Sequence, residues 1–156
     1  MIRARAVAVK NINIAMGNNS KSKFYSGAFL YNPKTQSILL HLRDDKAPVN
    51  PNKWALFGGG NENNESPEEC LIRELNEELG IKVKEDELRC LCDYFNANTN
   101  DWHYAFYIES DKLKSEMQLN EGADFDWVPL DRVLEYDLTK NARYDLEIFL
   151  AKNKLI

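Results

Sequence analysis

One segment constrains this chain more than any other: GGNENNESPEECLIRELNEELGI, residues 59–81, where glycines run into a helix whose two ends are both written in the sequence. Ser66 is a good N-cap, Pro67 suits the first helical position, and Glu69 completes a Ser-x-x-Glu capping box. Gly80 supplies the left-handed residue that ends a helix, so the pattern predicts a helix over Pro67–Leu79. Leu71, Ile72, Leu75 and Leu79 form an apolar stripe that must pack inward. The same helix carries five glutamates, and Glu74, Glu77 and Glu78 fall at i, i+3 and i+4, on one face. Like charges so placed cost about 0.2–0.5 kcal/mol per pair in an exposed helix. The face is either a solvated acidic surface or a cation site, because a divalent ion such as Mg²⁺ prefers carboxylate oxygens and would neutralise the repulsion.

The rest of the chain reads as strands around this helix. Residues 1–16 alternate loosely and predict an extended strand, followed by a loop over Gly17–Lys23. Tyr25–Tyr31 and Ser37–Leu42 are apolar runs separated by NPKTQ, a hairpin signal. Asp44–Lys53 is an exposed loop; Leu88–Phe95 and Trp102–Ile108 are strands joined by NANTND; Asp126–Val128 is a further short strand. Helices are expected from Asp131 and over Ala142–Lys152. The order of strands, helix, strands and helices predicts a single mixed α/β or α+β domain.

Composition closes off several function classes. Residues 1–43 hold seven Lys/Arg and no acid, and residues 44–156 hold 13 Lys/Arg against 25 Asp/Glu, so +7 and −12 give the net −5. An acidic chain with no basic cluster along a helix is a poor nucleic-acid binder. No apolar run approaches the ~20 residues that span a bilayer, and the first residues lack the pattern of a secretory leader. Three cysteines do not make a disulfide framework. The expectation is a soluble cytoplasmic protein with neither a membrane nor a nucleic-acid polymer as partner.

The spacing inside residues 59–81 is specific. Gly59 is followed by five residues to Glu65, then seven more to Arg73-Glu74-Leu75, then Glu77-Glu78 and Gly80-Ile81. This resembles the Nudix box, with every defining position matched, and the MutT-like triphosphate pyrophosphohydrolases within that family. The resemblance implies an α/β/α sandwich with a mixed β-sheet over residues 24–156, with residues 1–23 an extension that adds a strand. It departs from many members at Phe57, where proline usually precedes the glycine pair, and this predicts an altered loop angle or pocket wall.

The resemblance also implies the chemistry: hydrolysis of a nucleoside diphosphate linked to another group, with Mg²⁺, or Mn²⁺ in its place. It makes Glu77 and Glu78 metal ligands with the carbonyl of Gly58, and Glu74 either a ligand or the group that orients the attacking water. Arg73 holds these carboxylates in place. Glu121 is the candidate general base, or else an ordinary loop glutamate. Arg43 is the candidate phosphate contact, or a strand-end surface arginine. Phe57 and Gly59 flank the substrate. Asn141 either reads the base or caps the last helix. His41 and His103 are read as structural or surface residues, and Cys90 and Cys92 as buried rather than reactive. The expected reaction converts a (deoxy)nucleoside triphosphate to the monophosphate and pyrophosphate. The alternatives are a nucleotide-sugar or other dinucleotide pyrophosphatase, and a Nudix-fold module that senses nucleotides without cleaving them. The expected partner is a small nucleotide, and a homodimer is compatible with it.

Overall fold

A computed structural model describes residues 22–154; the strand expected over residues 1–16 lies outside them. The elements run β1 (Phe24–Asn32), β2 (Ser37–Leu42), β3 (Trp54–Ala55), β4 (Phe57–Gly60), α1 (Pro67–Leu79), β5 (Arg89–Asn96), β6 (Asp101–Glu109), β7 (Asp124–Pro129) and α2 (Lys140–Lys152). The expected helix from Asp131 is only a single 3₁₀ turn at Val133–Glu135. Among the described residues no helix is long and apolar enough to cross a membrane.

The strands form one mixed sheet. β1 is its central strand, parallel to β6 and antiparallel to both β2 and β4. Its other edge is shared: Tyr25–Ala28 pair with β4, and Leu30–Asn32 pair with β2. A strand covered on both faces reads as a continuous apolar run, and β1 is buried from Ser26 through Leu30. Alternation along it sends Ala28 and Leu30 to α1, with Leu71, Leu75 and Leu79, and Phe29 to α2, with Leu146 and Phe149. The result is a sheet between two helical layers, the sandwich the sequence implied.

α1 has the ends its sequence specifies. Ser66 accepts from the Glu69 N–H at 3.1 Å, Glu69 accepts in return from the Ser66 N–H at 2.9 Å, and Gly80 turns the chain at φ 64°. α2 begins two residues before the expected Ala142, and its N-cap is Thr139, whose hydroxyl accepts from the Ala142 N–H at 3.2 Å. Asn141 therefore does not cap this helix. The expectation for the cysteines also fails in part. A register irregularity between Cys90 and Cys92 leaves Cys90 exposed and Cys92 half-buried.

Candidate active site

The three acids of α1 share a face and have three different environments. Glu78 lies three residues after Leu75 and seven after Leu71, at the flank of the apolar stripe, and is 3% exposed. Its Oε2 accepts from the Gly58 N–H at 3.2 Å. Burial foremost, then the charge of Glu121, pushes its carboxyl up to about 8, with Glu74 adding to the effect and the Gly58 N–H opposing it. Glu74 is 13% exposed in its side chain, and burial raises its carboxyl against the pull of Arg73. Glu77 is open to solvent at 56%.

Arg73 organises this face. Its guanidinium meets Glu65 at 2.6 Å, Glu74 at 2.8 Å and Glu77 at 3.3 Å, and donates to the Gly60 carbonyl at 3.1 Å. Among the described residues, no three acidic, His or Cys side chains are gathered tightly enough to hold an ion as they stand.

The flanking glycines create space for the acids. A Cβ on Gly59 would lie 2.4 Å from Glu74 Oε1, so Gly59 makes room for that carboxylate. Gly58 has φ 142°, and a Cβ there would lie 2.0 Å from the Ser26 carbonyl oxygen. Phe57 is a correction. It pairs with Ala28 of β1, faces α1 and is fully buried, so it packs in the core rather than beside a ligand. Its neighbour Leu56 points the other way and lines a cavity instead.

The chain after α1 returns to close the site. The Asn120 N–H donates to the Glu78 carbonyl and its side-chain amide to the Glu77 carbonyl, each at 2.9 Å, satisfying helix-end acceptors. Glu121 follows, exposed, with its charge felt by Glu78. Gly122 has φ 93°, and a Cβ there would come within 2.9 Å of the Leu42 carbonyl oxygen, so only glycine turns the chain here.

Two cavities flank Arg43. One, about 250 Å³, is lined by His41, Arg43 and Glu121. The other, about 420 Å³, lies on the α2 side and is lined by Tyr25, Arg43, Leu56, Asn96, His103 and Asn141 among others. Arg43 belongs to both, held by a 2.9 Å bond from its Nε to the Val49 carbonyl. Asn141 is one residue into α2 and accepts from the Asn96 amide at 3.3 Å. Its own amide N–H groups remain for a ligand, given that amide orientation.

Three residues of the larger cavity had no signal in the sequence. His103 Nε2 lies 2.7 Å from Asp145 Oδ2, both buried, so of the two readings, structural or surface, the surface one does not hold. Tyr25 stacks on the His103 ring at 5.1 Å and 7°. His103 and Asp145 are 42 residues apart, and only tertiary structure joins them. His41 is buried, and burial, then Arg43, lowers it to about 4, so it is neutral at physiological pH.

A family model described as NUDIX domain matches residues 23–148. An Escherichia coli protein named nucleoside triphosphatase NudI is 32% identical over 121 residues, covering 71% of this chain and 85% of its own length. Among solved structures, a MutT protein from Methanosarcina mazei Go1 is similar at TM-score 0.68 and 26% identity, over 88% of this chain and 99% of that one. A MutT NUDIX hydrolase from Burkholderia pseudomallei is similar at TM-score 0.62 and 26% identity, over 82% and 98% of the two chains.

Proposed function

The chain belongs to the Nudix family of hydrolases, and from that premise we propose that it cleaves a nucleoside triphosphate to the monophosphate and pyrophosphate with the help of Mg²⁺. The observation that carries this reading is Arg43, which lines both the cavity that includes Glu121 and the larger cavity that includes Tyr25. A polyphosphate held there would reach the acidic helix while its nucleoside fills the larger space. The Escherichia coli relative, a nucleoside triphosphatase by name, supports the same substrate class.

The donor set suits a divalent cation. Burial and the neighbouring Glu121 and Glu74 push the Glu78 carboxyl up to about 8, so this is a place where a bound positive charge would favour the carboxylate form. Glu77, Glu78, the Gly58 carbonyl and Glu74 would hold the ion. The bound ion would supply positive charge to pyrophosphate oxygens, which makes phosphorus easier to attack and the leaving phosphate more stable. Glu121, exposed beside Glu78, accepts the proton of the attacking water at a carboxylate oxygen. The water oxygen bonds to phosphorus, the anhydride P–O bond breaks, and pyrophosphate leaves. Arg43 binds phosphate oxygens in bidentate fashion, and Arg73 keeps the other carboxylates aligned.

The test is product release across a panel of nucleoside triphosphates and nucleotide sugars with Mg²⁺. Pyrophosphate in step with a monophosphate supports this reading, whereas cleavage of nucleotide sugars alone favours the other pyrophosphatase activity. Arg43→Ala is expected to raise KM for triphosphates, and added salt to lower kcat/KM if encounter limits the rate. An unchanged KM on every active nucleotide would remove the phosphate contact.

Asn141 is assigned to base recognition. Thr139 fills the cap position, so Asn141→Asp is expected to keep its melting temperature, because the Asn96 amide can donate to the new carboxylate as well. The substitution removes an amide donor from the cavity. Discrimination among purine nucleotides should then shift by about 1–3 kcal/mol. A stable variant with the wild-type specificity profile would end the assignment.

A further inference from the structure

We propose that Tyr25 is a substrate-positioning residue whose hydroxyl donates a hydrogen bond to the phosphate nearest the nucleoside, and that the buried His103–Asp145 pair holds its ring for this purpose. The proposal rests on the reading of the substrate as a nucleoside triphosphate.

Three features of the structure bear on it. The first is where the ring lies. Tyr25 and Gly27 are on the same face of β1, and a Cβ on Gly27 would sit 2.7 Å from Tyr25 Cε1 and 3.4 Å from its hydroxyl. The side chain therefore runs across Gly27, toward the Phe57 carbonyl oxygen, which lies 3.5 Å from that same Cβ position. Gly27 pairs directly with Gly58, next to the carboxylate of Glu78. The tyrosine thus lies on the α2 side of β1, over the strand pair whose Gly58 N–H donates to Glu78.

The second is how the ring is held. It stacks on His103, its direct neighbour across the parallel β1–β6 pair. His103 is fixed from behind by Asp145 of α2, whose carboxylate is fully buried and also accepts from Cys92 Sγ at 3.7 Å. A buried carboxylate with two donors is an expensive arrangement to keep without a use for its geometry. Here it locks the imidazole plane, and the imidazole plane sets the tyrosine.

The third is the hydroxyl itself. It has no hydrogen-bond partner among the described residues, and the side chain lines the cavity. Its surroundings are anionic. Burial first, then Glu78, Asp145 and Glu74, drive its proton affinity far up, with Arg43 opposing, so the group is a donor throughout the working pH range. A fixed donor between a nucleoside cavity and a phosphate-cleaving face matches a phosphate oxygen at the junction of the two.

Tyr25→Phe removes this oxygen and leaves the stacking ring. In the full-length protein with Mg²⁺, it is expected to raise KM for nucleoside triphosphates about tenfold, the scale of losing one hydrogen bond to a charged acceptor, with melting temperature unchanged. As competitive inhibitors, the nucleoside monophosphate should lose the same factor and the unphosphorylated nucleoside none. Equal loss for both inhibitors would move the hydroxyl to the nucleoside and overturn the assignment, as would a KM equal to wild type. Wild-type protein that hydrolyses no triphosphate in the panel would overturn the substrate reading and this assignment with it. Asp145→Asn serves as the second arm. If the pair positions the ring, it too raises KM in a folded protein, and combining it with Tyr25→Phe adds nothing further. Additive losses would mean that Asp145 acts by another route.

Discussion

Glu78→Gln is expected to lower kcat by about 10³-fold or more, about 4 kcal/mol of transition-state stabilisation, in a protein that stays folded. The amide is isosteric and can still accept from the Gly58 N–H, so the loss would be one of charge at the proposed cation site. The same variant carries a second expectation with the opposite sign for stability. In the metal-free protein the carboxyl of Glu78 is raised from 4.5 to about 8, so the folded state binds this proton more tightly than the unfolded state does. Its favourable contribution is complete below about pH 4.5 and is lost as pH rises through about 8. Melting temperatures measured in chelator should therefore fall across that window for wild type and flatten in Glu78→Gln. Parallel curves for the two proteins, or a variant with near wild-type turnover, would remove Glu78 from the site.

Arg73→Ala should be the most destabilising change on the face of α1. It strips the shared cation from Glu65, Glu74 and Glu77 and leaves the Gly60 carbonyl without its donor. The guanidinium is partly exposed, at 21%, so solvent screening limits the loss to about 2 kcal/mol, below the cost of breaking a fully buried pair. Activity should fall as well, by about 10²-fold, because Glu74 and Glu77 lose their alignment. Arg73→Lys restores charge without the planar fork and should recover stability more than kcat. Chemical denaturation of the three proteins, set beside their kcat values, checks this. Equal stability in wild type and Arg73→Ala would show that the network carries no weight.

What could be read from the sequence follows the range of the forces involved. α1 was legible to the residue because its capping box, Pro67 and Gly80 are local signals that tertiary packing had no reason to override. The burial of Glu78 was present in the spacing, since i+7 from Leu71 and i+3 from Leu75 is the edge of the apolar stripe. Thr139 and Asn141 are both good caps, and a tertiary contact decides between them. The Thr139 N–H donates to the Trp54 carbonyl at 2.9 Å and sets where α2 starts. The face that Phe57 takes is not legible in the sequence, because a run into glycines carries no alternation. Its pairing with Ala28 supplies that information. The Tyr25–His103–Asp145 stack joins two strands and a helix, and none of its members has a sequence neighbour that announces it.

The central claim is that the acidic face of α1 holds a divalent cation that the hydrolysis requires. Stripping the protein with a chelator and measuring turnover of a nucleoside triphosphate, before and after Mg²⁺ is restored, tests it most directly. The account predicts no turnover in the stripped protein, full recovery with Mg²⁺, and pyrophosphate and monophosphate released in equal amounts. Undiminished hydrolysis by the stripped protein would contradict it.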